Sequence, residues 1–122
     1  MPSTRIMTGD WARERAKQII ETVQNALMSG LGIPDWDRDI VLNFYDEDHR
    51  IVPAGRSEKY TRIEITLYTG RTLDIKRKLY TSIVEHLSAI GLPKEDVKII
   101  LIEMAPENWG IRGGMPGSEV TG

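Results

Sequence analysis

The sequence predicts an α+β fold, a tandem β-α-β repeat whose four strands form one sheet with both helices on one face. Three observations predict it. Two amphipathic helical patterns each lie between two strand-like runs, one of those runs alternates strictly, and the two halves of the chain echo each other. At 122 residues, with 40% hydrophobic and 28% charged side chains, the chain suits a single domain with a real core.

The first strand-like run is Thr4 to Thr8. After it Ala12, Ala16, Ile19, Ile20, Val23, Leu27 and Leu31 recur at three- and four-residue steps, predicting a helix from about Asp10 to Ser29. Gly30 and Gly32 are read as its stop, with Pro34 just beyond. Ile40 to Tyr45 is the second strand. In Arg62 to Tyr68, Ile63, Ile65 and Leu67 alternate with polar residues, the period of a strand covered on one face. Ile75, Leu79, Ile83, Val84 and Leu87 then write a second helix from near Thr72 to about Gly91, and Val97 to Met104 is the last strand.

The repeat is visible in short matches. Thr8-Gly9 recurs as Thr69-Gly70, Ile33-Pro34 as Leu92-Pro93, and the run from Asp37 to Leu42 lies over Asp96 to Leu101. The units span about residues 2–45 and 60–104, with a polar linker at 46–59 and a glycine-rich C-terminal loop or short hairpin at 105–122. A β-α-β crossover is right-handed, so two units side by side leave the second sheet face bare. A large apolar surface is expected there, and a closed ring of several copies would bury it.

Composition excludes several function classes. A net charge of −2 provides no positive field for nucleic acid or anionic lipid, and the absence of cysteine removes thiolate chemistry and sulfur-ligated metals. The longest apolar run, Ile99 to Ile102, is far below the roughly 20 residues of a membrane helix, and no signal segment is read at the start. A cytoplasmic location is expected. His49 in the linker and His86 in a helix lack partners at metal spacing, so no metal and no cofactor is called. Phosphate-loop and nucleophile-elbow motifs are missing too.

Pro2 is the candidate that remains. Removal of Met1 would leave a secondary amine at the chain end. An α-amino group titrates at roughly 7.7–8.0, so desolvation and a nearby cation would bring it to neutrality as a base. Arg71 follows Gly70 where the second helix begins, a place to hold a substrate carboxylate; a solvated arginine is the alternative. Trp109 follows the last strand and could keep a basic nitrogen in low polarity, or serve only as core or as an interface plug between subunits. Asp37 precedes the second strand, where a lone carboxylate is usually solvent-facing or a turn former. Lys98 and the run Lys76-Arg77-Lys78 read as a strand-edge charge, kept as a contributor of positive field, and a wet helix face.

Pro2, the duplicated β-α-β pattern, Gly70-Arg71-Thr72 before a helix, and the run from Glu103 to Gly110 (EMAPENWG) together resemble the tautomerase superfamily. The second half looks like a 4-oxalocrotonate tautomerase subunit, and the whole is most similar to the malonate semialdehyde decarboxylase group. The resemblance implies a homotrimer, an N-terminal proline as catalytic acid or base (Pro2), carboxylate binding by Arg71, a carboxylate at Asp37 that handles water or substrate, and an aromatic wall at Trp109. It departs from the decarboxylase pattern at Thr69, where a second arginine is usual, and from the hydratase-like dehalogenases at Tyr68; Arg112 is an extra cation in the tail. The expected activity is therefore keto-enol tautomerisation of a small carboxylated enol or 2-oxo acid. A decarboxylase or hydratase of a small 3-oxo acid and a non-catalytic ring-shaped binding protein are the alternatives.

Overall fold

The computed structural model describes residues 1–120. The chain runs β1 (Ser3–Gly9), α1 (Ala16–Leu31), β2 (Ile40–Tyr45), β3 (Thr61–Tyr68), α2 (Leu73–Ala89) and β4 (Val97–Met104), followed by a hairpin of β5 (Gly110–Ile111) and β6 (Met115–Pro116). The four long strands form one sheet in the order β2-β1-β3-β4. Both crossovers return parallel, β1 against β2 and β3 against β4, while β1 and β3 meet antiparallel. The two units keep the same pairing offset, Thr4 lying against Ile40 and Ile63 against Ile99.

Strand alternation decides which side is covered. Ile6, Ile63, Ile65 and Leu67 are buried with Ile19, Val23 and Leu27 of α1 and Leu79, Ile83 and Leu87 of α2, forming one core between sheet and helices. The opposite face carries Arg5, Arg62, Glu64 and Lys98 among Met7, Val41, Ile100, Ile102 and Met104. The bare face thus exposes the apolar Val41, Ile102 and Met104, as the sequence leads one to expect, with charged residues interspersed among them. Lys98 pairs in register with Arg62, five residues along β3 from Leu67, so it is remote from Pro2.

The first helix also differs from its sequence pattern. Asp10–Ala12 form a 3-10 turn, and Arg13 N and Arg15 N bond to the carbonyls of Asp10 and Ala12, three residues back. The Trp11 indole donates to Thr8 Oγ1 at 2.9 Å and Ala12 is fully buried, so the chain is pinned before α1 begins at Ala16. At the other end Gly32, at φ 74°, makes the left-handed stop. Gly30 does not stop the helix. It lies inside α1, where a Cβ would meet Leu79 Cα at 3.1 Å, and its small size lets α1 and α2 approach.

Candidate functional site

The antiparallel seam decides where the candidate residues fall. The start of β1, the turn before β2, the end of β3 and the end of β4 all lie at one end of the sheet. Ser3 is opposite Thr66, and one further step of that register sets Pro2 opposite Leu67. Pro2 is buried, shares the helix-covered side with Thr4 and Ile6, and is preceded by the exposed Met1.

Beyond β3 the chain turns sharply. Thr69 N donates to Met104 O, Gly70 takes φ 117°, and Thr72 caps α2 by accepting from Ile75 N. This places Arg71 at the helix N-terminus, half-buried, its Nη1 donating to Tyr68 O at 3.2 Å. Backbone donors and a guanidinium together make that position suited to a carboxylate. Trp109 packs edge-on against Tyr68, ring centroids 5.3 Å apart, and its indole donates to Met104 O. The tail returns to close this cluster: Gly117 N donates to Trp109 O at 2.7 Å, and a Cβ on Gly117 would sit 2.5 Å from the Tyr68 hydroxyl.

Arg71 and Trp109 are thus brought together through Tyr68, and Pro2 lies beside its strand neighbour Leu67. Asp37 is positioned differently. Its N–H bonds Pro34 O, its carbonyl accepts from Gln24 of α1 at 3.1 Å, and it is 8% exposed, held on the β2 side of β1. The equivalent Asp96 repeats the turn, its N–H on Pro93 O, while its carboxylate accepts from the backbone and hydroxyl of Ser57. Asp39 accepts from Ser3 Oγ at 2.7 Å, next to Pro2. Thr4 Oγ1 is buried with no hydrogen-bond partner among the described residues.

Sequence reasoning singles out Tyr68 only as a departure from a pattern and Gly117 only as one glycine of the C-terminal tail. It read Lys76 as part of a wet face. Lys76 instead donates to Glu103 at 2.6 Å, with the two side chains 23% and 32% exposed. Only the folded proximity of α2 and β4 reveals that pair. A cavity of about 530 Å³ opens at the opposite end of the sheet, between Gly9–Trp11, Tyr45–Asp48, Arg50 and Glu58. Asp10, Asp46, Glu47, Asp48 and Glu58 make it unsuited to an anionic substrate, whereas the Pro2 end offers Arg71. No group of three or more His, Cys, Asp or Glu among the described residues is arranged to hold a metal ion, and no helix there is long and apolar enough to cross a membrane.

Comparison with known proteins accords with this fold. A family model described as "Tautomerase enzyme" matches residues 37–112, a span that includes Arg71 and Trp109 but not Pro2. The probable tautomerase YusQ of Bacillus subtilis is 27% identical over 104 residues, covering 80% of this chain and 82% of the relative. A crystal structure of FG41 malonate semialdehyde decarboxylase, inhibited by 3-bromopropiolate, is 33% identical and superposes with a TM-score of 0.82, covering 93% of this chain and 92% of that one. A fused 4-OT symmetric trimer superposes at 0.83 over 96% of this chain and 98% of that one; at 15% identity it bears on the fold alone.

Proposed function

The chain belongs to the tautomerase family, and from that premise we propose that it is a keto-enol tautomerase of a small carboxylated enol or 2-oxo acid. Removing Met1 makes Pro2 a secondary amine at a strand end that is buried with Met1 in place, and desolvation there favours the neutral base. It takes the proton from an enol hydroxyl, or from carbon next to a carbonyl, and returns it elsewhere on the conjugated system. Arg71 holds the carboxylate and draws electron density toward it, and Trp109 with Tyr68 keeps water from the reacting atoms. Asp37 serves substrate binding from the β2 side. General acid-base transfer supplies roughly 10²–10⁴-fold of the acceleration, with orientation supplying more. The observation that carries the reading is the strand register, which sets the buried Pro2 opposite Leu67 at the same end of the sheet as Arg71 before α2.

The assembly is a homotrimer, a reading supported by the fused 4-OT trimers of the same fold and by the sheet face that the helices leave open. A light-scattering mass near that of three 13.8 kDa chains is expected, and a monomer excludes it. The location is the cytoplasm.

Intact mass spectrometry, combined with an enol-to-keto assay on phenylenolpyruvate, tests the mechanism. Loss of Met1 and a fall in turnover for both Pro2→Ala and Arg71→Ala are expected. Undiminished turnover in Pro2→Ala defeats it. The 33% identity to a malonate semialdehyde decarboxylase favours a second reading, in which protonated Pro2 polarises the carbonyl of a 3-oxo acid while CO₂ leaves. Carbon dioxide release from malonate semialdehyde with an acid-side optimum, and without enol turnover, selects that reading.

A further inference from the structure

The Lys76–Glu103 ion pair lies in the same transverse row of the sheet as Pro2. Pro2 continues the register to Leu67, and Leu67 pairs with Glu103, all three on the helix-covered side. Two strand spacings put the Glu103 backbone about 10 Å from that of Pro2. Lys76 occupies the first turn of α2, its N–H on Thr72 O, and reaches Glu103 from above. Both side chains are more than half covered, so water screens them incompletely. An i,i+4 or i,i+3 surface pair would be ordinary; this one joins a helix start to a strand end beside Arg71.

We propose that Lys76 and Glu103 are positioning residues that tune the Pro2 amine: the Lys76 ammonium favours the neutral amine, and Glu103 fixes the ammonium while limiting its field. The inference rests on the role given to Pro2 above. Other ionisable groups surround the same end, namely Asp37, Arg38 and Asp39 before β2, Tyr68 and Arg71 after β3, and Glu107 and Arg112 beyond β4. Arg38 is already engaged by Asp35 and Glu21, at 2.8 Å each. Arg5 and Glu64 lie on the other face of the sheet.

Opposite charges removed one at a time must shift the amine in opposite directions. A unit charge at about 10 Å, in surroundings of effective dielectric constant 20–80, shifts a pKa by roughly 0.3–1.2 units. The test titrates Pro2 directly by NMR in full-length protein labelled with ¹⁵N-proline, alongside the pH profile of phenylenolpyruvate turnover. Lys76→Met should raise the Pro2 midpoint by about half a unit, Glu103→Gln should lower it by a similar amount, and the double variant should return close to the parent. Lys76→Arg keeps the charge and should hold the parent midpoint, so damage to packing is told apart from loss of field. Single variants that shift the midpoint in the same direction, or leave it unmoved, overturn the inference while an active parent leaves the tautomerase reading intact. A parent that keeps Met1 or lacks turnover overturns that reading and this inference with it.

Discussion

Gly30→Ala sets two effects of opposite sign against each other inside α1. Alanine is favoured over glycine in a helix interior by about 0.5–1 kcal/mol, because it has less backbone entropy to lose. A Cβ at position 30 would meet Leu79 Cα and Cδ1 at 3.1 Å and Ser82 Cβ at 3.3 Å. The Leu79 methyl could swing away, but its Cα is backbone of a fully buried residue in α2. The two helices are also clasped by Ser82 Oγ donating to Ala26 O at 2.8 Å, one turn away along α1. Separating them by a few tenths of an ångström therefore strains that bond and loosens the core, a form of overpacking that costs about 1–3 kcal/mol. The larger effect is the clash, leaving a net loss of roughly 0.5–2 kcal/mol. For a chain of this size that lowers the Tm by several degrees, about 3–6 °C per kcal/mol. Urea unfolding at fixed protein concentration should show a lower midpoint at unchanged slope, the fixed concentration guarding against any linkage to assembly. A Gly30→Ala protein as stable as the parent, or more so, refutes the helix-contact argument.

Other perturbations follow from single observations. Thr4→Val replaces a buried hydroxyl that has no partner among the described residues with a methyl of similar size. It should stabilise the fold by about 1 kcal/mol, and a lower unfolding midpoint would show that the hydroxyl is satisfied after all. Gly117→Ala puts a Cβ 2.5 Å from the Tyr68 hydroxyl and 2.7 Å from Pro106 O, so the tail must lift off the Tyr68–Trp109 pair. Its kcat/KM in the enol assay should fall about tenfold with little change in Tm, equivalent to about 1.4 kcal/mol of transition-state binding; an unchanged kcat/KM separates the tail from the site. His49 and Asp46 form an exposed pair that raises the imidazole pKa above 6.5, chiefly through their hydrogen bond, and lowers that of the carboxylate from 3.8. The contribution of His49 to stability is complete below its unfolded value near 6.5 and fades as pH rises through the raised folded value. That of Asp46 is complete above its unfolded value and fades as pH falls through the lowered one. An NMR titration should find His49 above 6.5 in the parent and back near 6.5 in Asp46→Asn; a parent midpoint at or below 6.5 contradicts the pairing.

Much of this architecture can be read from side-chain periodicity. The spans of β2 and β4 agree with the sequence pattern residue for residue, because each lies between turn residues: Pro34 to Asp39 before β2, and Pro93 to Asp96 before β4. The ends of α1 are less legible. Gly30 looks like a stop in one dimension, and only the proximity of Leu79 shows that its missing side chain is a contact. Asp10 to Arg15 carry the apolar spacing of a helix, yet the Trp11–Thr8 hydrogen bond and the burial of Ala12 hold them in tighter turns. The placement of Arg71 just before α2 is legible from Gly70 and Thr72, whose turn and cap are local. The closure of Tyr68 by Trp109 and Gly117, and the ion pair of Lys76, depend on segments far apart in the chain, which no window of sequence displays.

The antiparallel seam between β1 and β3 makes the candidate centre composite. The proline proposed as its proton carrier comes from one repeat and the arginine proposed as its anion clamp from the other, so neither half holds both. Meanwhile the bridge over residues 46–59 contributes no rung to the four-stranded ladder. Severing that bridge would leave every rung in place, so two separately made fragments should still pair along the β1–β3 seam, with Ser57 and Asp96 clasping the second of them.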